Sequence, residues 1–402
     1  MCAFFKLLLN FRTSFGFYLL FLMSTGTHAL DYFDNRLQVH GFFSQGMIKT
    51  SDNNFLGDSH NVSFDFREIA LNASYRALPN LQFSSQLMSH FAGASDTGGV
   101  DADYAFVDWT VASGEWGRGG IRAGRVKNPY GLYNTTRFVP FTRPGIILPQ
   151  SIYFERTRKL AISSEGAEFY FDWLNNIGTL GVNIVLGWPN ADDKATEVAF
   201  FGRDFPGKPD PHFTQLYQLN FEGADKNWRV AATLADVNYS YISGGKNDPL
   251  KAGEFNFTPY IFSAQYEAET WSFTTEYAVR PSSFNDFGLI SNRKITGESF
   301  YVQATYNLLP KIDLLTRYDV AFLNRADRDG ETYAAQTGRP AFTQFSMDWT
   351  LGIRYDITPA IMLRAEYHNI DGTAMLPTLD NPNPQQLVRH WDMGMVLVSF
   401  RF

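Results

Sequence analysis

Apolar and polar residues alternate one by one over many segments of the chain. In residues 68–76, the side chains of Ile69, Leu71, Ala73 and Tyr75 point one way and the intervening polar side chains point the other way. The same alternation recurs in residues 179–188, 271–280, 300–307 and 347–356. A period of two residues is the signature of a β-strand with one apolar and one polar face. The pattern therefore predicts a chain built mainly of amphipathic strands.

About sixteen strands of this kind can be distinguished along the chain. They begin near Leu37, Ile69, Leu81, Tyr104, Gly120, Ala161, Thr179, Phe213, Trp228, Tyr260, Trp271, Ser299, Ile312, Met347, Ile361 and His390. The short connections between them are residues 77–80, 112–119, 173–178, 223–227, 268–270, 308–311 and 357–360. The long connections are roughly residues 49–63, 91–100, 126–160, 189–212, 240–257, 281–297, 322–345 and 371–388. Short and long connections therefore alternate, and both chain ends lie on the side of the short turns.

This layout is typical of barrels that cross a membrane. Such barrels join their strands by short periplasmic turns and longer extracellular loops, and they carry aromatic girdles at both membrane interfaces. Trp and Tyr recur here at strand ends on the apolar face, for example Trp188, Trp271, Tyr277 and Tyr355. The sequence therefore predicts an all-β fold, a transmembrane antiparallel β-barrel of about sixteen strands. A soluble sandwich or propeller is the alternative, but its connections need not alternate in length.

The first 29 residues have the layout of a secretory signal peptide. Lys6 and Arg12 precede a nine-residue apolar stretch, residues 15–23, and small residues then lead to a cleavage site at Ala29. An uncleaved anchor is the alternative, although a membrane span needs about 20 apolar residues. Residues 30–402 show no linker and are predicted to form a single barrel domain. Cys2 is the single cysteine, so the processed chain is expected to contain no thiol.

Composition and motifs exclude several classes of function. The net charge of −7 disfavours a nucleic-acid partner. The histidines lack His-x-x-x-His spacing, and neither a Gly-x-Ser-x-Gly elbow nor a P-loop is present, so we predict no metal, no cofactor and no catalytic residue. An outer-membrane hydrolase whose residues assemble only in space is the least favoured alternative. Charged residues are only 19% of the chain, below the roughly 25% of soluble domains.

One segment carries a strong local excess of positive charge. Residues 118–159 contain nine basic residues and a single acid, Glu155, in a chain whose net charge is negative. The segment includes most of the longest connection, residues 126–160, which we predict to be a constriction loop. Basic rings in a narrow aqueous pore favour anions. The predicted constriction and selectivity residues are Arg122, Arg125, Lys127, Arg137, Arg143, Arg156, Arg158 and Lys159, and Arg118 completes the basic set.

Polar faces of the predicted strands add further charges to the expected lumen. The basic ones are Arg229, Arg317, Arg354 and Arg364, and the acidic ones are Glu68, Asp108, Glu276, Asp313 and Glu366. Basic and acidic groups facing each other across a passage create a transverse field. The alternative is that segment 126–160 stays outside the barrel, where its basic side chains bind lipopolysaccharide phosphates or are solvated.

The two ends of the mature chain resemble known barrels. Residues 393–402, which alternate up to the terminal Phe402, resemble the last strand of Gram-negative outer-membrane barrels, and residues 37–46 look like the first strand of the porin superfamily. The resemblance implies a sixteen-stranded, often trimeric pore with an inward third extracellular loop, located in the outer membrane. It also implies that the barrel-assembly machinery reads Phe402. The basic segment 118–159 is similar to that of anion-selective porins.

These observations together predict an outer-membrane porin. Small hydrophilic solutes would cross it by passive diffusion, with a preference for anions. Outer-membrane lipid and lipopolysaccharide are its expected surroundings, and a homotrimer is its expected assembly. The main alternative is a barrel that conducts nothing, whose loops close the lumen and bind lipopolysaccharide or a partner.

Overall fold

The computed structural model describes residues 30–32 and 36–402, so the predicted signal peptide lies outside the described residues. The described chain forms one antiparallel sheet of nineteen strands. In chain order they are β1 (Leu30–Tyr32), β2 (Leu37–Thr50), β3 (Ser63–Leu78), β4 (Leu81–Ala92), β5 (Asp96–Gly114), β6 (Gly117–Lys127), β7 (Ser163–Asn175), β8 (Gly178–Pro189), β9 (Lys208–Pro211), β10 (Thr214–Gly223), β11 (Trp228–Ile242), β12 (Glu254–Phe257), β13 (Tyr260–Glu267), β14 (Trp271–Asn285), β15 (Arg293–Leu309), β16 (Ile312–Phe322), β17 (Phe345–Thr358), β18 (Ile361–Gly372) and β19 (His390–Arg401).

The sheet closes into a barrel of sixteen wall positions. The last strand, β19, pairs with β2 along its length, from Met393 opposite Thr50 to Arg401 opposite Phe42. Strands β9 and β10 both pair with β11 and share one wall position, and β12 and β13 share another because both pair with β11 and β14. The short β1 pairs with the start of β2. The predicted sixteen-stranded antiparallel barrel is thereby confirmed, and its closure removes the free sheet edges that lipid could not satisfy.

Helices are few and short in this fold. The α-helices are α1 (Arg158–Ile162), α2 (Lys194–Phe201) and α3 (Glu331–Thr337), and single 3-10 turns cover Ser59–Asn61, Asn134–Thr136, Ala341–Gln344 and Pro384–Gln386. Among the residues that the structure describes, no helix has the length and apolar character needed to cross a membrane.

The outer face of the barrel is apolar, as the alternation predicts. On β3, Ile69 and Leu71 are 43% and 49% exposed, whereas their neighbours Glu68 and Ala70 are buried. On β17, Trp349 and Leu351 are 56% and 60% exposed. Exposed apolar side chains on a closed sheet form the band that contacts lipid hydrocarbon.

For two of the connections, the predicted length is wrong, because both are short. Residues 91–100 contain only a short turn, residues 93–95, because β5 begins at Asp96. Residues 281–297 contain only the connection 286–292, because β14 and β15 stay paired up to Phe284 opposite Arg293. Strands that extend beyond the membrane keep their ladder hydrogen bonds but no longer need an apolar face. The alternation therefore ends before the strand does.

Candidate functional site: the lumen and its inward loop

The longest connection lies inside the barrel. It covers residues 128–162, between β6 and β7, and we call it the inward loop. Its apolar side chains, including Tyr130, Leu132, Leu148 and Ile152, pack in one cluster with inward residues of strands β8 to β15. The largest part of the hydrophobic core therefore lies within the lumen, between the inward loop and the wall.

A second apolar cluster joins the inward loop to the last strand. Ile146 and Ile147 of the loop pack with Met393, Met395 and Leu397 of β19. The outward residues of β19 include Val398, which is 46% exposed. The sequence leaves open which face of this strand meets lipid because both faces are apolar. The structure explains the second apolar face, which covers the inward loop.

A buried ion pair attaches the inward loop to β3. Arg143 Nη1 donates to Glu68 Oε1 at 2.8 Å, and Arg143 Nη2 donates to Glu68 Oε2 at 2.7 Å. The two side chains are 6% and 1% exposed. Two parallel hydrogen bonds between a guanidinium and a carboxylate fix the orientation of both groups. Glu68 therefore positions the middle of the loop.

Glu276 of β14 attaches the beginning of the inward loop without any basic partner. Its Oε1 accepts from the main-chain N–H of Leu132 at 3.0 Å and from the Ser263 hydroxyl at 2.6 Å. Its Oε2 accepts from the hydroxyls of Tyr153 at 2.6 Å and Tyr301 at 2.9 Å. A buried polar group needs such partners because burial without hydrogen bonds is unfavourable. Glu276 thus connects Ser263 of β13 and Tyr301 of β15 to Leu132 and Tyr153 of the inward loop.

Three wall arginines bind main-chain oxygens of loop segment 145–151, and a fourth, Arg354, donates to the carbonyl of Phe141 at 3.3 Å. Arg364 Nη1 donates to the carbonyl of Gly145 at 2.6 Å, Arg317 Nη1 to that of Ile147 at 3.2 Å, and Arg280 Nη1 to that of Ser151 at 2.7 Å. Two wall carboxylates accept from N–H groups of the same stretch. They are Glu366, from Ile146 at 2.5 Å, and Asp319, from Ser151 at 3.2 Å. Segment 145–151 is therefore held by its main chain to three wall strands, β14, β16 and β18.

Most of the predicted constriction cations are paired with carboxylates. Seven of the nine basic residues of segment 118–159 lie in ion pairs: Arg118 with Asp172, Arg122 with Asp108 and Glu168, Arg125 with Glu165, Lys127 with Asp103, Arg137 with Glu155, Arg143 with Glu68, and Arg158 with Asp96 and Glu155. Their partners come largely from other strands. The positive charge counted over this segment is therefore largely compensated in the fold, because a charge sum over a sequence window omits residues that the barrel brings close.

The remaining two basic residues differ from these. Arg156 and Lys159 form no ion pair within the described part of the chain, and both are partly exposed. They line a small cavity beside Asp96 of β5 and Thr196 of α2, on the side of the long loops. Among the described residues, these two are the basic side chains of the segment without an ion pair, although Asp96, Glu155 and Asp193 line the same cavity.

The predicted wall residues all lie on inward faces, but at different levels. Glu68, Glu276, Arg317, Arg364 and Glu366 are buried against the inward loop. Arg122, Asp108, Arg229, Arg354 and Asp313 are partly exposed and lie towards the short turns. The half of the lumen near the short turns contains a cavity of about 340 Å³, whose lining includes Arg354, Asp313, Glu267 and Glu269.

Several residues of this site are not among those predicted from the sequence. Arg280, Asp319 and Tyr153 bind across the lumen, and His368 lies fully buried between Asp348 and Glu366, with 2.8 Å from its Nδ1 to Asp348 Oδ2. The period-two pattern does place Arg280, Asp319 and His368 on inward faces. Tyr153 carries no such signal because it lies in an irregular loop. No group of three or more His, Cys, Asp or Glu side chains able to hold a metal ion is found in residues 30–32 and 36–402.

Comparisons with known proteins agree on the fold. No family model and no curated protein matches the sequence. Solved structures do match. The outer membrane channel DcaP of Acinetobacter baumannii is 11% identical, with 91% of this chain and 97% of that chain covered and a TM-score of 0.58. The anion-selective porin of Comamonas acidovorans is 11% identical, with 91% and 99% covered and a TM-score of 0.56. OmpT, an outer membrane protein of Vibrio cholerae, is also 11% identical, with 93% and 100% covered and a TM-score of 0.56.

These similarities define the class of the molecule. By its fold, the chain is a sixteen-stranded β-barrel with the architecture of the solved bacterial porins, and the predicted fold is confirmed at that level.

Proposed function

We propose that the protein is an outer-membrane channel for passive diffusion of small hydrophilic solutes. The observation that carries the proposal is the sixteen-stranded closed barrel with its longest loop attached inside the lumen. An inward loop narrows a barrel and determines which solutes pass. Refolded protein in planar lipid bilayers should produce discrete conductance steps. A barrel that inserts but produces no steps would contradict the proposal.

One observation favours a second candidate, a barrel closed by its own loop. Inward residues at the level of the loop are almost fully buried: Glu68 and Thr274 are 1% exposed, and Tyr301, Thr350 and Ser399 are 0% exposed. An open lumen would leave such residues in contact with water. The same bilayer measurement separates the two candidates, since a closed barrel conducts only after the loop is displaced.

For the channel, we propose an anion preference smaller than the charge sum of segment 118–159 suggests. Its support is Arg156 and Lys159, the two basic side chains of the segment that form no ion pair within the described residues. The Arg156→Gln/Lys159→Gln variant should lower the anion preference measured from reversal potentials in a salt gradient. Lys194→Gln is a matched control, because Lys194 is an exposed loop cation already paired with Asp204 at 2.6 Å. Cation selectivity of the unmodified protein would reject the anion preference.

The predicted partners remain part of the proposal. A homotrimer is supported by a groove of about 360 Å³ on the outer face of β3 to β6, where Ala73, Ser85, Ala105 and Ala123 present small side chains. Chemical cross-linking in native membranes should give a trimeric band. Lipopolysaccharide at the long loops and recognition of Phe402 by the barrel-assembly machinery are proposed on the resemblance alone. We propose no enzymatic activity.

A further inference from the structure

A small buried cavity lies beside the inward loop, on the side of the long loops. Its volume is about 30 Å³, and Ser151 of the loop, Asp319 of β16, Asp348 of β17 and Thr373 contribute to its lining. Trp391 of β19 forms another part of its lining. A cavity of this size has room for a water molecule or a small ion. The cavity thus lies where the wall, the inward loop and the long connection 373–389 meet.

Two carboxylates from adjacent strands line this cavity side by side. Asp319 and Asp348 are direct partners in the β16–β17 ladder, so both side chains point inward from adjacent strands. They are 4% and 8% exposed. Asp348 Oδ2 pairs with His368 Nδ1 at 2.8 Å. Asp319 forms no ion pair within residues 36–402, although Arg317 lies on the same face two residues away. Like charges directly opposite each other in a sheet are destabilising unless something compensates them.

Three buried oxygens that line the cavity lack partners. Asp319 Oδ1, Ser151 Oγ and Thr373 Oγ1 have no hydrogen-bond partner among the described residues. Their residues are 4%, 1% and 5% exposed. Asp319 Oδ2 is used, because it accepts from the main-chain N–H of Ser151 at 3.2 Å. Leaving buried polar atoms unpaired is unfavourable, so three such atoms around one cavity indicate an occupant.

We propose that this cavity binds a small hard cation. Such cations take oxygen ligands, carboxylates above all, and Ca²⁺ is the first candidate because two carboxylates line the cavity beside two free hydroxyls. A bound cation would satisfy the free oxygens and compensate the repulsion between Asp319 and Asp348. It would also tie the inward loop, through Ser151, to two wall strands and to Thr373. The site is independent of whether the barrel conducts.

Luminescence of Tb³⁺, which substitutes for Ca²⁺, tests the proposal directly. Trp391 contributes to the cavity wall, so excitation of tryptophan should transfer energy to Tb³⁺ bound there. Purified full-length protein in detergent should show saturable luminescence that Ca²⁺ competes away, and Trp391→Phe should lose most of it. Asp319→Asn should lose the saturable signal. Asp313→Asn, on the same strand near the short turns, should retain it.

A second measurement distinguishes loss of the cation site from misfolding of a variant. Ca²⁺ should raise the Tm of the unmodified protein, followed by the heat-induced gel shift, and Thr373→Val should reduce that rise while keeping both carboxylates. Repeating the titration with Na⁺ identifies a monovalent occupant, which still supports a cation site. If neither ion changes the Tm and no saturable luminescence is seen, the cavity holds water or a carboxyl proton and the proposal is overturned.

Discussion

The charged side chains that line the lumen differ in their exposure to water between two levels of the same wall. At the level of the inward loop, Arg143, Arg317 and Arg364 are 6%, 1% and 2% exposed, and each binds a carboxylate or main-chain oxygen of the described chain. Near the short turns, Arg354 and Asp313 are 23% and 36% exposed and lie 3.9 Å apart. The loop causes this difference because it excludes water from only one level.

The comparison separates two roles that one residue type can have. Buried arginines at the level of the loop act as attachments, since their Nη groups already donate to oxygens of the loop or the wall. Partly exposed charges near the short turns remain available to passing solutes. Only charges close to the passage affect a solute, because screening acts over about 8 Å at physiological salt. Counting all inward arginines as selectivity residues would therefore overestimate the field.

The largest expected effect follows from removing two attachments together. The variant Arg317→Met/Arg364→Met keeps side-chain bulk at the wall but removes the donors to the carbonyls of Ile147 and Gly145. We expect the loop to leave its position and single-channel conductance to rise several-fold. Arg229→Met is the control near the short turns, because Arg229 donates to Gln265 of the wall at 2.8 Å, and it should change conductance much less. Equal conductance in both variants, with normal folding by heat-induced gel shift, would contradict the division into two levels.

A smaller effect is expected on stability. Glu68→Gln leaves the buried guanidinium of Arg143 without its counter-charge, and breaking a buried pair in this way costs about 3–5 kcal/mol. Asp313→Asn disrupts a partly exposed contact, for which about 0–1 kcal/mol is expected. Denaturant-induced unfolding of both variants in lipid vesicles measures the two values. Similar losses of unfolding free energy in both variants would show that water reaches the two levels equally.

A pH effect is expected outside the membrane, in the long connection 190–213. Burial raises the pKa of Glu197 on α2 to about 7, with Asp204 and Asp248 adding to the shift and the N–H of Phe205 opposing it. The folded loop thus favours the protonated carboxyl. Its stabilisation is present at low pH and is lost as the pH rises towards and through about 7. Limited proteolysis of this loop should be faster at pH 8 than at pH 5, and Glu197→Gln should remove the difference.

The smallest effect concerns the exposed acids near the short turns. Glu267 and Glu269 line the 340 Å³ cavity and are exposed. Replacing both by Gln should shift the reversal potential slightly towards anions, because screened surface charges contribute little. The shift should shrink further as the salt concentration rises. A large shift that persists in high salt would mean that these acids lie in the narrowest part of the passage.

The sequence predicts the barrel wall well because lipid imposes a simple rule on each strand. Trp228, Tyr260, Trp271, Ile312, Ile361 and His390 each begin a strand as predicted. At these positions the change from turn to apolar alternation coincides with the membrane interface. The rule ceases to apply above the membrane, and the strand ends near Asp96 and Asn285 were therefore missed.

The lumen is less predictable because its partners are distant in sequence. Arg143 and Glu68 are 75 residues apart, and Ser151 and Asp319 are 168 residues apart. The alternation places Glu68 and Asp319 on inward faces, but it does not indicate which loop atom each will bind. Every residue carries a main-chain carbonyl, so the sequence does not indicate which one an arginine will bind. The role of Arg364 and Arg317 as loop attachments could therefore not be derived from residue types.

The attachment of segment 145–151 through its main chain has a consequence for variation of this protein. Wall arginines that hold carbonyl groups place few demands on the identity of the residues that bear them. The side chains of this stretch are limited by packing instead, because Ile146, Ile147 and Leu148 are buried. Changes in strands β14, β16 and β18 can therefore move a loop that is distant from them in the chain without altering any residue of the loop itself.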